Sequence, residues 1–65
     1  MGGYAMSFVK LTEPGGKAIW IRASDVQCIR RWDTGALVRT YSSGDFLVED
    51  QVEEIIKDIK IVESD

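Results

Sequence analysis

Sixty-five residues, 45% of them apolar and 29% charged, describe one small globular domain rather than a disordered chain. A formal charge of −3 argues against a protein built to hold phosphate backbones, and apolar runs of only a few residues leave no stretch for a membrane-spanning helix. One cysteine, Cys28, and no histidine allow neither an internal disulfide nor a zinc site of the usual kind, and no cofactor loop is visible.

Residues 1–5 lack the basic start and apolar core of a secretory signal. They read as a flexible leader, with Met6 as a natural start and 6–65 as a single small β-rich domain with a C-terminal helix. The lone cysteine fits a reducing, cytoplasmic setting. The charge is divided along the chain: residues 1–44 hold six basic and three acidic side chains, residues 45–65 two basic and eight acidic.

Ser7 to Thr12 is short and partly β-branched, the first predicted strand. Glu13-Pro14-Gly15-Gly16 follows as a type II turn, with Pro presetting φ and Gly15 accepting a positive φ. Lys17 to Arg22 is the second strand; Ile19 and Ile21 point one way, Ala18, Trp20 and Arg22 the other. Ala23-Ser24-Asp25 breaks the run. Val26 to Trp32 is the third strand, with Cys28 a small buried hydrophobe. Asp33-Thr34-Gly35 is a three-residue hairpin loop with Gly35 left-handed. Ala36 to Tyr41 is the fourth strand, Ser42 to Asp45 turns, and Phe46 to Val48 is a short fifth.

The hydrophobic period then changes from two to 3.6. Val52, Ile55, Ile56 and Ile59 form one apolar stripe of a helix from about residue 51 to residue 60. Asp50 is placed as its N-cap with Glu53 completing a capping box, and Glu53 and Lys57 are spaced as an i,i+4 pair. Ile61 and Val62 either extend the helix or form an edge strand. The expected fold is α+β: a small twisted antiparallel five-stranded sheet, or half-open barrel, with the helix packed on the face carrying Val9, Leu11, Ile19, Ile21 and Ile29, and with Leu37 and Val48 joining them.

Two short motifs reduce to turns. Asp33-Thr34-Gly35 spells the aspartic-protease triplet, but such chemistry needs two facing carboxylates and the triplet lies between strands. Gly15-Gly16-Lys17 lacks the spacing, the following hydroxyl residue and the following helix of a phosphate loop. The set that stands out is Trp20, Arg22, Arg30, Trp32 and Arg39. If the second and third strands pair, these aromatic and guanidinium groups share a face suited to a protein interface, or, by stacking and charge, to nucleic acid. The bland alternative has the rings plugging the ends of a small core under arginine stems. A domain this small buries only about 60% of its unfolded surface, which favours gaining more burial by self-association.

Phe8-Val9-Lys10-Leu11-Thr12, Gly16, the apolar run ending at Arg22 and Asp25-Val26-Gln27-Cys28-Ile29 resemble the opening of the small flagellar FlbD-type (swarming motility) proteins. Leu37-Val38-Arg39-Thr40, Gly44, Phe46-Leu47-Val48-Glu49 and Val52-Glu53-Glu54-Ile55-Ile56 are similar to that family's second half. The resemblance implies a bacterial, cytoplasmic, non-enzymatic accessory protein of the flagellar motor and supplies no catalytic residue. The expected function is a protein-interaction module that self-associates and binds a protein partner. A phage or mobile-element protein, or a small nucleic-acid-binding regulator using the Arg/Trp face, is the alternative.

Overall fold

The computed structural model describes residues 7–63; the leader expected at residues 1–5 lies outside them. Five strands and one helix follow in order: β1 (Phe8–Thr12), β2 (Ala18–Arg22), a 3-10 turn (Ala23–Asp25), β3 (Val26–Trp32), β4 (Gly35–Thr40), β5 (Gly44–Val48) and α1 (Val52–Glu63). The fold is α+β, with every strand pair antiparallel.

The strands do not form one sheet. β1 and β2 make a two-stranded sheet, and β3, β4 and β5 a separate three-stranded meander. The 3-10 turn between β2 and β3 is the reason. It bends the chain at the point where a tight turn would have let the two strands pair.

The β1–β2 turn is as the sequence predicts. Gly16 N–H donates to Glu13 O at 2.9 Å, and Gly15 takes a φ of +100° that a side chain rarely adopts. The β3–β4 turn differs. Asp33 and Thr34 alone make the loop, and the left-handed residue is Asp33, at a φ of 54°. Gly35 belongs to β4 opposite Trp32. Its glycine is required by proximity, since a Cβ there would lie 2.0 Å from the Val48 carbonyl oxygen.

A backbone hydrogen bond joins the two sheets at one place, and another extends the β3–β4 ladder into the 3-10 turn. Glu49 N–H donates to Thr12 O at 2.7 Å, tying the end of β5 to the end of β1. Thr12 N–H donates to Asp50 Oδ1 at 2.7 Å. Asp50 thus anchors a strand end, and α1 begins two residues later. In the ladder's extension, Tyr41 N–H, just after β4, donates to Asp25 O in the 3-10 turn at 2.9 Å.

The core lies between the sheets and α1: Val9, Leu11, Ile21, Ala23, Ala36, Val38, Val48 and Ile55, with Ile19, Val26, Ile29, Phe46, Val52, Ile59 and Val62 packed around it. Leu37 is not part of it, because β4 alternates and Ala36, Val38 and Thr40 take the inner positions. The helix continues through Ile61 and Val62 to Glu63, and Ser7 Oγ donates to the Val62 carbonyl at 3.2 Å. Val52, Ile55, Ile59 and Val62 face the core. Ile56, expected on the buried stripe, is 42% exposed, because it lies one residue, about 100°, round the helix from Ile55.

Candidate interaction surfaces

The five residues expected to share a face are divided between the two sheets. Because β2 and β3 do not pair, Trp20 and Arg22 belong to the outer side of β1–β2, while Arg30, Trp32 and Arg39 gather on the outer side of β3–β4–β5.

On the smaller sheet, Lys10 stands opposite Trp20 and Phe8 opposite Arg22. Each cation lies 5.9 Å from its partner's ring centroid, near the outer limit for cation–π attraction. Trp20 remains 60% exposed. Neither the indole nor the guanidinium plugs the core.

On the larger sheet, the register sets out rows. Cys28, Arg39 and Asp45 form one, Arg30, Leu37 and Leu47 the next, and Trp32 with Gly35 the last. Arg39 makes two hydrogen bonds to Asp45, Nε to Oδ1 at 2.9 Å and Nη2 to Oδ2 at 3.2 Å. That contact holds the Asp45 carboxyl below its usual range, with the nearby charges of Arg39 and Arg30 adding to it, and pushes the Arg39 guanidinium further up. Trp32 is 52% and Leu47 42% exposed.

Cys28 is exposed, against the expectation that it is buried. The register slips between Val26 and Cys28, a β-bulge at Gln27. One extra residue lets Val26 and Ile29 both pack against the core and turns Cys28 outward.

A groove of about 410 Å³ borders β2, lined by Phe8, Trp20, Arg22, Ser24, Ser42 and Phe46 among others. Its floor is fixed by Asp25, whose Oδ1 accepts the Ser42 N–H at 3.1 Å and whose Oδ2 accepts the Ser42 hydroxyl. Thr40 Oγ1 donates to Gly44 O at 2.8 Å and accepts the Ser43 N–H at 3.0 Å, locking the β4–β5 turn beside it. These bonds join the 3-10 turn to the β4–β5 turn.

Sequence reading did not single out Phe8, Lys10 or Leu47, and it gave Leu37 to the core. For the leucines a signal was present: Ala36-Leu37-Val38 is apolar on both sides of the strand, where a half-solvated strand alternates. Arg31 was also passed over. It reaches from the inner side of β3 to Glu53, Nη2 to Oε2 at 2.8 Å, so Glu53 bridges strand to helix where the sequence suggested Lys57 as its partner. This contact holds the Glu53 carboxyl below its usual range.

Among the described residues no group of three or more His, Cys, Asp and Glu is placed to hold a metal ion, and no helix is long and apolar enough to cross a membrane. Comparison with family models, with curated proteins and with solved structures finds no match to this chain.

Proposed function

We propose that the chain is a non-enzymatic protein-interaction module that pairs with a second copy of itself through the outer side of β3–β4–β5. The observation that carries this reading is the apolar centre of that face. A sheet with one side in water normally shows polar residues there, yet Leu37, Leu47 and Trp32 occupy it. Arg39 and Asp45 neutralise each other at its margin, and Arg30 is the remaining cation, at the β3 end of the leucine row, so Leu37, Leu47 and Trp32 set the preference of the face for an apolar mate. A second copy also supplies the burial that a domain of this size lacks. The resemblance to the FlbD-type proteins supports an accessory role in a bacterial flagellar system, within the cytoplasm.

Sedimentation velocity across the micromolar range tests the pairing. The wild-type chain is expected to sediment as a dimer, and Leu47→Lys as a folded monomer. A wild-type monomer at all concentrations up to the solubility limit rejects the reading.

A further inference from the structure

We infer that the outer edge of β2 at Ala18 and Trp20 is a docking site for an extended peptide segment carrying acidic side chains, which adds to the β1–β2 sheet as a third strand. This extends the interaction reading to a second surface. It is tested by peptide binding, whereas the pairing of copies is tested by sedimentation, so each fails separately.

The argument begins with backbone phase. Antiparallel residues alternate between pairs that exchange hydrogen bonds and pairs whose backbone groups point outward. Glu13 N–H donates to Lys17 O at 2.7 Å, and Ala23 N–H donates to Ser7 O at 2.8 Å. Both pairs keep the register of Val9 with Ile21 and Leu11 with Ile19. Those are therefore the bonded pairs. Ala18 and Trp20 turn their N–H and C=O groups away from β1, toward the side where, among the described residues, the sheet has no further strand.

Natural sheets guard such edges with charges, bulges or proline. β3 carries a bulge at Gln27 together with Arg30 and Arg31, and β5 carries Asp45. Within Ala18-Ile19-Trp20-Ile21 there is none of these devices, and the nearest charges, Lys17 and Arg22, stand at its two ends. It is the least guarded run of edge, and the groove lined by Trp20, Ile21 and Phe46 adjoins its C-terminal half, giving side chains of an added strand an aromatic wall. Strand addition of this kind draws affinity from the backbone ladder and specificity from such pockets.

Charge selects the occupant. Lys10, Lys17 and Arg22 surround the edge with Glu13 the sole acid on the same hairpin; the Asp25 carboxylate in the groove, hydrogen-bonded by Ser42, is a second acid, so cations outnumber acids there three to two. A second copy paired edge to edge would bring the same cations against each other, at a cost. An acidic strand meets opposite charge. Nucleic acid would meet that charge too, but it has no peptide ladder to offer Ala18 and Trp20.

The test uses a fluorescein-labelled ten-residue peptide of alternating Glu and Val, with a Lys–Val peptide and a single-stranded oligonucleotide as comparisons. The Glu–Val peptide is expected to bind saturably, to shift the amide resonances of Ala18 and Trp20, and to slow their hydrogen exchange. Ala18→Pro removes one edge donor at the first residue of the strand, where proline is tolerated, and is expected to weaken binding at least tenfold. Lys10→Glu with Lys17→Glu should lose the Glu–Val peptide and gain the Lys–Val peptide while leaving the fold intact. Three outcomes would overturn the inference: no saturable binding at millimolar peptide, binding indifferent to the charge reversal, or tighter binding of the oligonucleotide than of the peptide.

Discussion

A methyl group added at Gly35 would meet the Val48 carbonyl at 2.0 Å and the Glu49 Cα at 3.0 Å. Both are backbone atoms of β5 or its end, so the strands must separate to admit it. Overpacking of this kind costs about 1–3 kcal/mol, which in a domain of this size lowers the melting temperature by roughly 5–20 °C. Calorimetry on Gly35→Ala checks this, and an unchanged midpoint would mean β5 yields freely. The Asp33-Thr34-Gly35 triplet is therefore a hairpin turn followed by a close approach of β4 to the end of β5. At the same scale, Glu53 and Asp45 both have carboxyls held below their ordinary values, chiefly by hydrogen bonds from Arg31 and Arg39. A carboxyl depressed in the folded state adds stability that is complete above its unfolded value and is lost as pH falls through the folded one. The melting temperature should fall on acidification below about pH 5. Glu53→Gln with Asp45→Asn should flatten that slope, modestly, because both pairs are open to water. Identical acid-side profiles for the variant and the wild type would show that neither pair contributes.

Helix α1 shows how an element's sequence pattern and its packing can part company. Its period of 3.6 and its acidic first turn are plain in the letters. Two adjacent isoleucines, Ile55 and Ile56, both fit the apolar stripe, but a single helix face admits one of them to the centre of the contact. Ile55 is fully buried, and Ile56 is not. Ile55→Ala should cost about 2–5 kcal/mol, whereas Ile56→Ala should cost less than about 1 kcal/mol. Denaturant titration of the two variants separates them; equal losses would mean the helix is rotated from the position described. In β3 the bulge performs the corresponding selection. It lets Val26 and Ile29 pack together and sets Cys28 beside Arg39, an outcome that strict alternation in Val26-Gln27-Cys28-Ile29 could not anticipate.

For the whole molecule, the division into two sheets decides what can be an interface. The arginine and tryptophan residues that appear as one set in the chain become two surfaces. One carries Trp20 with Lys10 and Phe8, the other Trp32 with Leu37 and Leu47. Cys28 reports on the second. Its thiol is exposed in the single chain and shares the face proposed to pair, so labelling by a thiol reagent should be rapid in dilute solution and slow at concentrations where dimers form. In Leu47→Lys it should stay rapid at every concentration. A wild-type rate independent of concentration would place Cys28 outside the interface.

The sequence by itself determined the elements, the α+β class and most of the core, because these depend on local periodicity and turn chemistry: Pro14 and Gly15 make their turn, and Val9, Leu11 and Ile21 alternate inward wherever β1 and β2 are laid down. It also determined that the helix must cover apolar strands. Only the tertiary structure decided that the strands divide into two sheets, that the break at Ala23–Asp25 is a 3-10 turn across which β2 and β3 do not pair, and that a bulge turns Cys28 to solvent. Those outcomes rest on contacts between residues far apart in the chain, such as Glu49 with Thr12 and Tyr41 with Asp25. No local pattern encodes them, since strand pairing and register are set by whichever arrangement buries the most apolar surface while satisfying the backbone.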